Sequence, residues 1–397
     1  MKSLRHVRRA FASLALLALA ASAASSVSAQ TKPYTINVIL PLTGPGASLG
    51  KDEATALSAL EKFVNRTGGI NGTPLHFEVA DDQTQPAVAV QLLQQILTTH
   101  PAVVLGSALA AQSQAMAALV PNGPVLYALT PNLLPTPGGY VFSTSANTRD
   151  LTGVAVNYYR LRGLTKFATL VTNDASGQNN IEAIEAALAL PENKSVKIVD
   201  KEVFSFGDVS VDAQAAKIKA SGAQVVFAVA NGTGFGTSLH GLYDVGVDLP
   251  VFTSAANFSP QLLNSFKTFL PKELLGSGAS FFNRDRAASD PLKKPIDDFY
   301  AALNAEGVVV PVATHAFAWD PGWLVVTALR SIGTNATAEQ IHAYIERQKA
   351  FPGVQGMFNF TRNDQHGLDV SGLLVLRSDP ASPGHSLVVS KQGGAPK

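Results

Sequence analysis

The 397 residues include no cysteine, which excludes disulfides, thiolate metal sites, cysteine nucleophiles and lipid attachment at an N-terminal cysteine. With 30 basic against 29 acidic residues and no Lys/Arg cluster, nothing in the charge calls for nucleic acid or an anionic membrane as partner. A charged fraction of 15% fits a well-buried globular protein, and the length exceeds what one hydrophobic core usually supports, so two domains are expected.

Residues 1–29 have the three-part layout of a cleavable signal peptide. Lys2, Arg5, Arg8 and Arg9 precede an Ala/Leu/Ser run from Ala10 to Ala24, and Val27-Ser28-Ala29 stand before Gln30. The apolar run is shorter than a membrane-spanning helix needs and no later segment is longer. The mature chain is therefore expected in the periplasm without a membrane anchor, carrying 26 basic and 29 acidic residues.

From Tyr34 onward short apolar runs alternate with longer amphipathic ones, the pattern of β-α-β units around a mostly parallel sheet. Ile36 to Leu40 reads as a buried strand. Lys51 to Arg66 places Leu57, Leu60 and Val64 on one helical face and stops at Gly68-Gly69. Leu75, Phe77 and Val79 alternate as a second strand, a helix runs from about Pro86 to Leu97, and Ala102 to Leu105 and Val125 to Leu129 read as the third and fourth strands. Near Asn147 the pattern restarts. A helix at about Asp150 to Arg162 leads into strands at Phe167 to Val171, Val196 to Val203, Gln224 to Ala230 and Val251 to Thr253, with helices at Asn179 to Leu190, Val211 to Ala220 and Gly236 to Val245. Three helices then follow in series, at about Pro291 to Asn304, Thr314 to Ser331 and Ala338 to Arg347. Gly356 to Phe360 and Gly372 to Leu376 read as a terminal hairpin, and the Pro/Gly/Ser-rich tail from Ser378 reads as frayed.

Several segments together resemble the branched-chain amino acid binding protein family, the type I periplasmic binding proteins. They are Val38 to Pro45 with Gly50, Asn65 to Gly72, Asp81-Asp82-Gln83 with Pro86 and Ala87, Gly106-Ser107, Thr130-Pro131, Asn173 to Gln178, and Phe358-Asn359-Phe360 ahead of Gly367. The resemblance implies two Rossmann-like α/β lobes joined by a three-crossover hinge, with crossovers near Asn147, Phe281 to Arg284 and Gly353 to Gly356. Lobe I then comprises residues 30–147 and 283–353, and lobe II residues 148–282 and 354–397. It also implies a monomeric solute-binding protein that serves the permease of a bacterial ABC importer and is no enzyme. A sensor of the same fold, signalling occupancy to a chemoreceptor or kinase, is the alternative.

The carboxyl ends of parallel strands are where such sheets bind ligands. In relatives that bind α-amino acids, a loop after the third strand offers hydroxyls and backbone N–H groups to the carboxylate. Here that loop reads Ala110-Ala111-Gln112-Ser113, so N–H groups at a helix start remain while hydroxyls are thinned. Thr130 matches the Thr of the next loop, its hydroxyl expected on a ligand oxygen. Ser176 stands where the family often has Tyr before Gly177, and Thr253 to Asn257 holds no acid where amino acid binders carry a Glu for the ammonium. A buried ammonium would lack compensation there, which points to an organic or aromatic acid or a neutral amide. Asn231 and Phe235 lie in the small-residue loop Asn231 to Gly236, which lacks a dinucleotide fingerprint, so no cofactor is expected. Leu49, Phe281, Phe282 and Trp319 lie in segments that approach the cleft or hinge in relatives, and Asn257 ends the acid-free loop. Arg284 and Arg286 are candidates for an anionic ligand or for ion pairs. Scattered histidines and the absence of a Gly-x-Ser-x-Gly elbow give catalysis no support, and Asp81-Asp82 read as loop caps pointing apart.

Overall fold

The computed structural model describes residues 32–397 except 231, 259, 285–286 and 380–385. Residues 1–29, Asn231 and Arg286 thus lie outside the described residues.

Two sheets organise the chain. The first holds β1 (Tyr34–Leu40), β2 (Leu75–Asp81), β3 (Val103–Gly106), β4 (Val125–Ala128) and β5 (Val141–Ser143) in the order β2-β1-β3-β4-β5, every pair parallel. Its central strands, VVLG and VLYA, are buried at each residue, because helices cover both faces of a parallel sheet. One face carries α1 (Ala47–Arg66), which turns Leu49, Leu57, Leu60 and Val64 inward, and the other carries α2 (Pro86–Leu97) and α3 (Ala110–Ala117).

The second sheet follows through α4 (Thr148–Leu161). It contains β6 (Lys166–Thr172), β7 (Lys197–Phe204), β8 (Val225–Val229), β9 (Val251–Thr253), β10 (Leu274–Gly278), β13 (Leu374–Ser378) and β14 (Ser386–Val388), in the order β14-β13-β10-β9-β8-β6-β7. Helices α5 (Ala175–Leu188), α6 (Asp212–Ala220), α7 (Thr233–Val245) and the short α8 (Pro260–Ser265) belong to this half. β6 to β10 run parallel, and β13 and β14 complete the edge antiparallel. The three late helices α9 (Lys293–Ala305), α10 (Ala313–Ile332) and α11 (Ala338–Glu346) return to the first sheet, α9 and α10 packing on α1. Among the described residues no helix is long and apolar enough to cross a membrane.

Three sequence expectations differ from what is observed. Met357–Phe358, here β12, does not pair with β13; it pairs antiparallel with β11 (Phe351–Pro352), while β13 joins β10 across the sheet. β10 itself escapes the pattern because its sequence, LLGSG, carries glycine where bulk is excluded: a Cβ on Gly276 would lie 2.5 Å from the Phe258 ring. The described part of the tail beyond Ser378 is also not frayed. β14 pairs with β13, the Asn157 side chain donates to the Gly393 carbonyl at 3.0 Å, and Gly394 packs against the Val154 carbonyl. Composition marks a tail as loop, but an open sheet edge supplies the backbone partners that order it.

Candidate functional site

The carboxyl ends of the two sheets face each other, so the loops after β1 to β4 and after β6 to β9 form opposite walls of one cleft. The loops are braced before any solute arrives. Asp81 accepts from the Leu42, Thr43 and Gln83 N–H groups and from the Thr43 hydroxyl. Burial works to raise its pKa, and these four bonds outweigh it and hold the carboxyl low. Asp82 turns the other way, accepting from the Ser107 hydroxyl at 2.6 Å and the Thr84 N–H at 2.9 Å, and burial raises its pKa. The neighbouring acids are therefore loop brackets. Behind them Glu53 is fully buried with Oε2 unpartnered among the described residues; burial, then the charges of Asp52 and Asp82, push its carboxyl pKa well up. Ser113 braces the turn into α3, its hydroxyl accepting from the Ser107 N–H and donating to the Ser107 carbonyl.

Polar groups converge on a cavity of about 140 Å³ lined from the first half by Thr84, Pro86 and Leu109 to Gln112, and from the second by Thr172, Asp174, Ser176 and Phe206. The first turn of α3 opens into it. Leu109 at the N-cap has no side chain able to accept, so the N–H groups at Ala110, Ala111 and Gln112 receive no side-chain cap. Asp174 is the one acid in the lining, and its Oδ1 is taken by the Gly177 N–H at 3.0 Å and the Thr172 hydroxyl at 2.8 Å.

Deeper in the cleft, a cavity of about 30 Å³ is walled by Pro131, Asn132, Thr148, Asn180, Ser254, Ser277 and Phe317 among others, with no charged side chain. There Asn132 Oδ1 accepts from the Thr148 hydroxyl at 2.9 Å and the Asn180 amide at 3.4 Å, a polar knot tying the two halves. On its far side a larger cavity of about 620 Å³ lies between α3, the loop from Asn132 to Tyr140 and the start of α5, lined by apolar side chains and the amides of Gln114, Gln178 and Asn179. Ala175 at the start of α5 is in its lining, where the N-cap Asp174 accepts from the Gly177 N–H, and Glu182, which accepts from Gln178, is its one acid.

Of the residues singled out in the sequence, Ala110, Ala111, Gln112 and Ser176 come together around the 140 Å³ cavity. The others stand elsewhere. Leu49 is buried in the first core, Phe235 in the second against Phe266, and Phe281 and Trp319 in aromatic packing around Phe299. Phe282 is half-buried between both cores, stacked on Phe281, and the Arg284 guanidinium lies over the Tyr300 ring at 3.9 Å. Asn257 is fully buried, its amide donating to the Ala230 carbonyl and the Thr253 hydroxyl, with Oδ1 unpartnered. Thr130 is buried outside all three linings, and its hydroxyl accepts from the Asn132 N–H at 3.2 Å. Thr130→Val is accordingly expected to cost about 1 kcal/mol of stability, read as a lower melting temperature, with solute affinity unchanged within about twofold by calorimetry. Asn132, Thr148, Asp174 and Asn180 were not singled out; Asn and Thr are ordinary turn and cap residues, and only their convergence across the cleft distinguishes them.

Among the described residues no group of His, Cys, Asp and Glu is arranged to hold a metal ion. The family model described as periplasmic binding protein matches residues 33–378. A Leu/Ile/Val-binding protein homolog from Brucella melitensis is 26% identical over 288 residues, 71% of this chain and 74% of the relative. Two solved structures share the fold. A solute-binding protein of an ABC transporter from Rhodopseudomonas palustris in complex with benzoate superposes with a TM-score of 0.75 at 17% identity, over 92% of this chain and 97% of that one. A branched-chain amino acid transporter substrate-binding protein from Streptococcus pneumoniae in complex with isoleucine superposes with a TM-score of 0.73 at 16% identity, over 90% and 99%. With two mostly parallel sheets facing across a lined cleft and a family match over most of its length, the chain belongs to the periplasmic binding protein family, a family of binding proteins and not of enzymes.

Proposed function

We propose that the protein is the periplasmic solute-binding component of a bacterial ABC importer and that its solute is a small organic acid without an α-ammonium group. The observation that carries the reading is the uncapped first turn of α3 opening into a cavity with the Ser176 and Thr84 side chains in its walls. A carboxylate there meets backbone N–H groups and the positive end of a helix, the interactions that offset desolvation of an anion. At about 140 Å³ the cavity suits a solute below drug size, such as a single ring bearing one carboxylate. The stretch Thr253 to Asn257, where the resemblance leads one to expect a Glu for an ammonium, holds no acid, and its Ser254 hydroxyl accepts from the Ala256 N–H. In this reading the protein works as a monomer without cofactor, delivering solute to its permease and binding no nucleic acid.

Asp174 favours a second reading. Its Oδ1 is held by the Thr172 hydroxyl and the Gly177 N–H, yet among the described residues none donates to Oδ2, and Asp174 lines the same cavity, so an ammonium-bearing solute has one acid to meet.

A thermal-shift screen of benzoate, aliphatic carboxylates, amides and amino acids separates the two. A ligand at 100 times its dissociation constant adds about 2.7 kcal/mol to the folded state, enough for a clear shift. Carboxylates are expected to shift the melting temperature and leucine, isoleucine and valine to leave it unmoved. Submicromolar leucine binding that Asp174→Asn abolishes would establish the second reading instead.

A further inference from the structure

We propose that Gln355 is the positioning residue of the hinge, a buried hub that joins all three passages between the lobes and limits how far they separate. The inference rests on reading the molecule as a closing clamp, and on the hydrogen bonds that meet at this one residue through its backbone and its side chain. The Gln355 carbonyl accepts from the Ser280 N–H at 3.0 Å, joining the third passage to the second. Its amide nitrogen donates to the Thr144 hydroxyl at 3.3 Å, joining the third to the first. The same nitrogen donates to the Ala316 carbonyl at 3.1 Å and the Asp320 carboxylate at 3.2 Å, anchoring the junction to α10. Asp320 completes the attachment by accepting from the Val354 and Gln355 N–H groups at 2.8 and 3.0 Å.

Each partner is buried: Gln355 is 1% exposed, Thr144 0%, Ser280 1% and Asp320 2%. Water cannot replace these bonds as the lobes move, so a rotation that stretches one leg loses it outright. The Gln355 Oε1 atom is buried with no partner, so the side chain is held through its nitrogen alone. That makes the attachment directional: the amide is fastened toward Thr144, Ala316 and Asp320 and open on the other side. Gln355 lines none of the cleft cavities described above, so its effect reaches the solute only through the lobes.

The chain has no cysteine, so two introduced ones label uniquely. Gln94→Cys on α2 and Ala213→Cys on α6 are exposed positions in opposite lobes. Nitroxides there report the interlobe distance distribution by pulsed electron paramagnetic resonance in the absence of any solute. Gln355→Met, which keeps length and removes the amide, is expected to widen the distribution about twofold relative to the parent, and Thr144→Val, which removes one leg, to widen it less. Circular dichroism verifies folding. Folded variants with the parent's mean and width overturn the proposal, even if their melting temperatures fall, since a merely structural role moves stability and not width. If Gln355→Met does not fold, Thr144→Val decides. Because no solute enters the measurement, failure of the organic-acid assignment leaves this result untouched.

Discussion

Gly177→Ala is expected to destabilise the protein by about 3 kcal/mol and to weaken solute binding at least tenfold. A Cβ built on Gly177 would lie 1.6 Å from the Thr172 carbonyl oxygen and 2.7 Å from its carbon, both backbone atoms that have no rotamer by which to retreat. The first turn of α5 rests directly on the end of β6, held by the Asp174 bracket to the Gly177 N–H and the Thr172 hydroxyl. Making room means moving the helix start, and Ser176 moves with it out of the cavity wall. Over a lobe of this size the loss corresponds to a fall of roughly 6–12 °C in melting temperature. Gly153→Ala is the control, because an added Cβ in the middle of α4 meets nothing within 4 Å and should stabilise by about 0.5–1 kcal/mol. Equal melting temperatures for the two variants would show that the α5 start yields without cost.

Asp320→Ala is expected to cost about 2–4 kcal/mol at pH 5, and less at pH 8. The substitution strips two buried donors, the Val354 and Gln355 N–H groups, of their acceptor and takes one of three acceptors from the Gln355 amide. The pH dependence follows from the carboxyl itself. Burial pushes its pKa from 3.8 up to about 6 against the pull of those same hydrogen bonds. The folded state therefore holds a proton on Asp320 that the unfolded chain has released between those values, and this contribution to stability is lost as pH rises through about 6. The loss is at most about 3 kcal/mol, and the alanine variant does not share it. Chemical denaturation from pH 4 to 8 should show the gap between parent and variant narrowing with rising pH. A gap that widens would mean the carboxylate is stabilised in its charged form, contrary to its burial.

Much of the architecture is legible in the residue pattern. The α1 helix is written in Leu57, Leu60 and Val64, and the central strands in continuous apolar runs, because burial on one helical face or on both sheet faces leaves a periodic trace in the chain. The restart near Asn147 is legible for the same reason: Asn147 caps α4 by accepting from the Asp150 N–H. β5, β10 and β14 leave little trace. They are short or glycine-bearing strands whose place is set by a neighbour's edge.

The site divides along the same line. Loop brackets and the acid-free stretch from Thr253 to Asn257 are local features, but it was the resemblance to a known family that pointed at Ala110, Ala111, Gln112 and Ser176, which the structure brings to one cavity. Phe235 and Leu49 have the right sequence neighbourhood but turn into the cores, and no local rule says which way a residue at a helix start will face. Asn132 and Asn180 lie 48 positions apart, and the Gln355 hub reaches a partner 211 positions away. By itself the sequence determined the class of fold, an α/β chain that runs through one β-α-β series and restarts in a second, since periodicity and turn chemistry are written within a dozen residues. Which side chains meet across the cleft and through the hinge was decided only by tertiary structure, because hydrogen-bond geometry between distant segments depends on how two independently built lobes are set against each other.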